Sequence, residues 1–276
     1  MRLFGLIGFP LSHSFSEKYF TEKFQRENIT DAIYKSFPIT DINLLPDLIK
    51  CHPNLHGFNV TIPYKEAIIP LLDEMDETAK AVGAVNTVLR QPSTELAQSA
   101  AEGLSLTNGS DQKWVGYNTD VYGFRQSINP FLASHHERAL ILGTGGAAKA
   151  VEFVLREIGV ECIFVTRHLE RSREAGSGKT FLRYADLNEH VMAMCKLIVN
   201  CSPVGMFPNL DSAPEIPYEF ISKDHFLYDL VYNPAETEFL KRGKEKGAMV
   251  MNGMDMLKMQ AEEAWRIWNK KDDIIS

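Results

Sequence analysis

Residues 139–150, ALILGTGGAAKA, restrict what this chain can fold into more than any other stretch. A short apolar run ends at Gly143, Gly145 and Gly146 follow at once, and an alanine-rich segment of helical character begins. That order is a buried strand, a tight turn and a helix N-terminus. The spacing Gly143-x-Gly145-x-x-Ala148 fits a dinucleotide fingerprint. The first glycine makes the turn, the second lets a pyrophosphate approach the backbone, and a small third residue lets helix pack on strand. The open N–H groups of such a helix face an anion. Whatever precedes the loop must then supply a substrate for a nicotinamide.

The surrounding chain alternates strand-like and helix-like segments. Before the loop, 2–8, 33–39, 55–62 and 84–89 read as strands. Ser14 or Ser16 caps a helix running to about residue 27, 41–50 is helical with Pro46 in its first turns, and 74–81 is helical with Gly83 as its C-cap. A helix over about 121–127 leads to the loop. After it come helices at 147–158, 235–246 and 254–270, and strands at 162–166, 196–201, 225–231 and 248–251. Such alternation predicts α/β architecture, a mostly parallel sheet with helical crossovers, and 276 residues are enough for two domains. Residues 91–112 lose all periodicity and read as a surface hairpin or insertion.

Composition excludes several classes. A formal net charge of −7 argues against a general nucleic-acid binder. No apolar segment approaches the roughly 20 residues that span a bilayer, and the apolar run at 2–8 is too short for a signal peptide. The cytoplasm is the expected compartment. Cys51, Cys162, Cys195 and Cys201 have neither C-x-x-C nor zinc-ligand spacing, and three of them lie in apolar runs, so buried free thiols and no metal are expected.

Four polar clusters can carry chemistry. In PLSHSFS (10–16), Ser14 and Ser16 offer hydroxyl donors beside helix N–H groups, which seats a carboxylate or simply caps the helix. In NVTIPYK (59–65), Thr61 and Lys65 follow a strand end, where lysine can move a proton or remain a solvated surface charge. Asn86, in GAVNT (83–87), is a polar residue in an apolar setting, either a structural bracket or a ligand contact. Asp120 closes GYNTD (116–120), as a catalytic carboxylate or as an N-cap. On the cofactor side, the acid expected about 20 residues past the glycines is missing. Thr166 and Arg167 stand there, with Arg171 one turn on. A guanidinium suits a 2′-phosphate, favouring NADP over NAD, unless Arg167 merely pairs with Glu170 at the surface.

Taken in order, these motifs resemble the shikimate dehydrogenase family. They continue beyond the glycine loop with NCSPVGM (200–206), YDLVYNP (228–234) and NGMDML (252–257) followed by Gln260. The resemblance covers nearly the whole chain. It implies reversible NADPH-dependent reduction of 3-dehydroshikimate to shikimate, a step toward aromatic amino acids. It implies a substrate-binding catalytic domain of residues 1–118 plus 253–276, a mostly parallel αβ sheet completed by the C-terminal helix. A Rossmann-type NADP-binding domain would span 119–252, with the active site in the cleft between the two. Ser14 and Ser16 match the hydroxyls that hold the substrate carboxylate, with Tyr232 nearby. Thr61, Asn86, Asp120 and Gln260 match contacts around the ring hydroxyls, and Lys65 with Asp120 matches the catalytic pair. Gly143, Thr144, Gly145, Gly146, Ala147, Ala148, Thr166, Arg167, Arg171 and Gly253 match the cofactor side. The partners implied are the small-molecule substrate and NADP, with no nucleic acid or membrane, in a monomer or homodimer.

Val121, Phe15 and Glu17 depart from the family pattern without removing a catalytic group. Two other readings are a quinate/shikimate dehydrogenase preferring NAD and a non-catalytic NADP-binding sensor.

Overall fold

The structure is a computed structural model, and it describes residues 1–11, 15–92, 112–169 and 178–270. The chain forms two compact units, Met1–Thr119 with Ala261–Ser276, and Asp120–Gln260.

The first unit is built on a six-stranded sheet. Its strands are β1 (Arg2–Gly8), β2 (Ala32–Pro38), β3 (Leu55–Val60), β4 (Glu74–Met75), β5 (Thr87–Pro92) and β6 (Gln112–Tyr117), in the order β2-β1-β3-β5-β6-β4. β1 runs parallel to β2 and β3, whereas β5 is antiparallel to both β3 and β6. Central β1 is buried on both faces, as its continuous apolar sequence demands. Phe4 and Leu6 enter one core, while Leu3 and Ile7 enter the other.

Helices α1 (Phe15–Arg26), α2 (Leu45–Cys51) and α3 (Glu77–Val82) connect these strands. Two expectations need correction. The segment 74–81 begins as strand β4, because the Asp76 side chain accepts from the Ala79 N–H and so starts the helix only at Glu77. The strand expected over 84–89 starts at Thr87, so Asn86 lies just outside it.

The second unit carries β7 (Arg138–Leu142), β8 (Glu161–Val165), β9 (Thr180–Leu182), β10 (Leu197–Asn200), β11 (Phe226–Asp229) and β12 (Met249–Asn252). All pairs are parallel, in the order β12-β11-β10-β7-β8-β9. This is the expected Rossmann-type arrangement. The strand order reverses between β7 and β10, which opens a crevice at their carboxyl ends. Helices α4 (Thr119–Ile128), α5 (Gly146–Glu157), α6 (Glu189–Met194) and α7 (Glu238–Glu245) complete the crossovers. The sequence pattern predicts neither β9 nor α6, since three and six residues are too few to show a period. The four cysteines are free; Cys195 is buried, Cys162 and Cys201 are half-buried, and Cys51 is exposed.

The last helix, α8 (Met254–Trp268), passes from the second unit to the first. Its end residues Ala261, Ala264, Ile267 and Trp268 pack with Phe4, Phe20, Phe24 and Tyr34 in the first unit's core. The Trp268 indole N–H donates to the Val88 carbonyl at 3.0 Å, and Gly57 leaves room for that ring.

A polar contact ties α8 to α1 within the same unit. The Lys23 ammonium, 5% exposed, meets Glu262 at 2.7 Å and Glu27 at 2.9 Å, and Tyr19 donates to Glu262. Lys23→Ala is expected to destabilise this unit by about 1–2 kcal/mol, a modest figure because both acids are partly solvated. Lys23→Met, which keeps the buried stem, should lose less. Urea denaturation of the two variants checks both values.

Candidate active site

In the first unit, strand β3 ends at a turn that sets Thr61 and Lys65. The Thr61 N–H donates to the Ile7 carbonyl and the Tyr64 N–H to the Thr61 carbonyl, both at 2.9 Å. Gly8 is required opposite this turn, since a β-carbon there would lie 2.4 Å from Thr61 Cγ2. The buried Tyr64 ring anchors the next step, its hydroxyl donating to the Ile39 carbonyl at 2.8 Å. The Lys65 carbonyl then accepts from the Val85 N–H at 2.7 Å. Lys65 is thereby fixed by its backbone beside the segment that carries Asn86.

Asn86 is 3% exposed, and both ends of its amide are hydrogen-bonded. Its Oδ1 accepts from the Thr119 N–H at 2.7 Å, and its Nδ2 donates to Thr119 Oγ1 at 3.0 Å. Thr119 immediately precedes Asp120, so Asn86 pins the backbone from which Asp120 starts. Of the two roles read from sequence, the bracket is the one these hydrogen bonds display.

Asn86 belongs to a buried polar row that sequence reading missed. Tyr34 donates to Asn59 Oδ1 at 2.8 Å, and Asn59 Nδ2 donates to the Asn86 carbonyl at 3.3 Å and to Thr87 Oγ1 at 3.1 Å. Among the described residues, Ser36 Oγ is the buried side-chain atom that lacks a partner. It sits two residues from Tyr34, on the same face of β2. Ser14 and Arg171, and most of the 91–112 insertion, lie outside the described residues.

In the second unit, the glycine loop sits at the switch point. Gly143 has φ +112°, a conformation that L side chains rarely adopt, and a β-carbon on it would lie 3.4 Å from the Cys201 backbone after β10. A β-carbon at Gly145 would meet nothing within 4 Å. Gly145 caps α5 with no side-chain hydrogen bond, and no acid occupies the first turn. This open, uncapped helix start fits a pyrophosphate. Beyond β8, Thr166 is buried and accepts from the His168 N–H at 3.1 Å, while Arg167 is exposed. Burial raises the Tyr184 hydroxyl, and the positive charge of Arg167 opposes that shift.

Asp120 is buried in the first turn of α4. One turn on, Gly123 passes α8 so closely that a β-carbon would lie 2.5 Å from the Met256 carbonyl and 3.0 Å from Gln260 Cβ. Gln260 is therefore packed on the helix that carries Asp120. Gly253 is just as confined, because a β-carbon there would sit 2.2 Å from the Leu230 carbonyl. Its N–H donates to the Val231 carbonyl at 3.2 Å, next to half-buried Tyr232.

Comparison with known proteins bears on these same motifs. Residues 6–88 match the family model for the shikimate dehydrogenase substrate binding domain. The shikimate dehydrogenase (NADP(+)) of Aquifex aeolicus is 37% identical, over 97% of this chain and 91% of that protein. The chain belongs to the shikimate dehydrogenase family. Among solved structures of the family, shikimate 5-dehydrogenase from Thermus thermophilus in complex with NADP(H) and shikimate is 30% identical. Its TM-score is 0.78, with 98% of this chain and 94% of that one covered. Quinate dehydrogenase from Corynebacterium glutamicum in complex with NAD is 26% identical at TM-score 0.78, covering 97% and 93%.

This shikimate dehydrogenase family member also carries a buried acid that sequence reading passed over. Asp229, at the end of β11, accepts from Asn200 Nδ2 at 2.9 Å, the Val231 N–H at 3.0 Å and Thr237 Oγ1 at 2.6 Å. It brackets the loops after β10 and β11, the second of which bears Tyr232. Burial outweighs the three donors and pushes its carboxyl from 3.8 up to about 6. The folded protein therefore holds this proton more tightly than the unfolded chain. Its contribution favours folding below the unfolded value and is lost as pH rises through about 6. Between those limits the wild type should lose about 2–3 kcal/mol from this group. Asp229→Asn should lack that slope, which denaturation midpoints of the two proteins measured from acid to neutral pH would show.

Proposed function

We propose that this protein catalyses the reversible NADPH-dependent reduction of 3-dehydroshikimate to shikimate, a step of aromatic amino acid biosynthesis. The observation that carries this reading is the full set of family motifs on one chain. Lys65 and Asp120 are both present, in a protein 37% identical to a named shikimate dehydrogenase (NADP(+)).

When bound, NADPH supplies a hydride to the carbonyl carbon. The residues of this chain do the rest. The N–H groups at Gly145 to Ala148 and the turn at Gly143 hold the pyrophosphate, Thr166 supports the loop beyond β8, and Arg167 reads the 2′-phosphate. Ser16, with Ser14, holds the substrate carboxylate, and Tyr232 lies on the same side of the substrate. Thr61, Asn86 and Gln260 surround the ring hydroxyls. As charge develops on the carbonyl oxygen, the Lys65 ammonium stabilises it and delivers a proton. Asp120 accepts from the neighbouring substrate hydroxyl. Many fixed polar contacts suit a polyhydroxylated acid, because a site that pairs each hydroxyl rejects analogues lacking one.

The substrate-binding catalytic domain is assigned to residues 1–118 plus 253–276 and the NADP-binding domain to 119–252. No helix among the described residues is long and apolar enough to cross a membrane. We place the enzyme in the cytoplasm, as a monomer or homodimer acting on small molecules.

Initial rates with shikimate and with quinate, each with NADP+ and with NAD+, test the assignment. Shikimate with NADP+ should be the preferred pair. Preference for quinate with NAD+ would instead place the protein with its quinate-oxidising relatives, and no turnover with any pair would make it an inert binder.

A further inference from the structure

Two buried side chains govern the loops that follow β10 and β11. Asn200 and Asp229 close these strands as partners in the β10–β11 ladder, and both are fully buried. Their neighbours determine which atoms face each other. The Ser202 N–H can only donate, and it lies 3.1 Å from Asn200 Oδ1, so the amide nitrogen is turned to Asp229 Oδ1 at 2.9 Å. The Ser202 hydroxyl also donates to Asn200 Oδ1, at 2.6 Å. Asp229 in turn collects the Val231 N–H at 3.0 Å on Oδ1 and the Thr237 hydroxyl at 2.6 Å on Oδ2. This linked pair therefore sets the start of the loop after β10 and both ends of the loop after β11. The two loops also pack together. Gly205 has φ +93°, and a β-carbon on it would lie 3.4 Å from Thr237 Cβ.

Topology says which part of a cofactor these loops serve. The glycine turn after β7 is read as the pyrophosphate site, and Arg167 after β8 as the 2′-phosphate site. A dinucleotide lies across the switch point, so the loops on the side away from β8 are left for the nicotinamide half. Those are the loops after β10 and β11. The first of them begins beside the pyrophosphate turn, since a β-carbon on Gly143 would lie 3.4 Å from the Cys201 backbone.

We propose that Asp229 is a positioning residue for the nicotinamide half of the cofactor: through Asn200, Val231 and Thr237 it holds the loops after β10 and β11 in one arrangement before NADP binds. Being fully buried, it acts only through the groups it brackets. This inference rests on the reading of the glycine loop and Arg167 as the NADP site. The adenosine half, held after β7 and β8, gains nothing from the bracket.

The test is titration calorimetry of the whole protein with NADP+ and with adenosine 2′,5′-bisphosphate, which carries the 2′-phosphate but no nicotinamide. Asp229→Ala should weaken NADP+ about 5- to 10-fold, as for loss of one or two hydrogen bonds, and leave the bisphosphate within about twofold. Turnover should fall further, about 10- to 100-fold, because a loosely held nicotinamide seldom meets the geometry of attack. Asp229→Asn keeps an oxygen for Asn200 and Val231 and should bind NADP+ within about threefold of wild type. Equal weakening of both ligands, no weakening of either in a folded Asp229→Ala, or an Asp229→Asn as weak as Asp229→Ala would overturn the positioning role while leaving the NADP site in place. If the wild type fails to bind the bisphosphate, the reading of the NADP site fails, and this inference fails with it. Should Asp229→Ala fold poorly, Asn200→Ala cuts the same link from the loop after β10. The same split between NADP+ and the bisphosphate is then expected, and its absence overturns the proposal.

Discussion

Lys65→Ala should lower turnover about 10²- to 10⁴-fold, the range for loss of a general acid, with little change in the KM for shikimate. The expectation follows from how the residue is held. Its position is set by the backbone, through the Thr61 to Tyr64 turn and the bond from the Val85 N–H to the Lys65 carbonyl. The Tyr64 hydroxyl bond to Ile39 adds a second anchor. Truncating the side chain leaves these backbone anchors in place while removing the ammonium. Lys65→Arg separates two contributions. A guanidinium keeps the positive charge but does not release a proton near neutrality. That variant should recover only a small part of the loss if proton delivery dominates, and most of it if charge stabilisation does. Near-normal turnover of Lys65→Ala would remove the residue from the mechanism.

Arg167→Ala should weaken NADPH by about 10- to 150-fold in KM and leave NADH almost untouched, as for loss of a charge-assisted hydrogen bond. The two cofactors differ only in the 2′-phosphate, so the comparison cancels everything that the glycine loop contributes. Arg167 is exposed at the end of β8, at the place where an acid would otherwise bind a ribose hydroxyl. Equal effects on both cofactors would mean that the arginine supports the loop without reading the phosphate.

The parts of this protein legible from sequence are those whose physics is local. A glycine forced to positive φ, as at Gly143, is written into the turn itself. So are the apolar run of β1 and the amphipathic pattern of α8. Strand β4 escapes a local reading because its pairing partner, β6, lies some forty residues away, and the pattern of 74–81 looks helical. The decisive signal is Asp76, whose cap moves the helix start by three residues relative to the expectation. The candidate site divides in the same way. Lys65, Asp120 and the serines stand out because polar residues at strand ends are conspicuous. Tyr34 and Asn59 do not, since their meaning lies in a bond across 25 residues and in the partners beyond it. Tyr34 reads locally as one more aromatic residue in a strand. Asp229 is hidden for a related reason, its three donors arriving from Asn200, Val231 and Thr237 on separate segments.

The central claim is that this chain moves a hydride between NADPH and carbon 3 of the shikimate ring. The most direct measurement uses NADPH deuterated at the transferable position of the nicotinamide, with 3-dehydroshikimate as acceptor. The shikimate formed should carry one deuterium on carbon 3, and Lys65→Ala should form the same labelled product far more slowly. Product without carbon-bound deuterium, or no product from a protein that binds both ligands, would contradict the assignment.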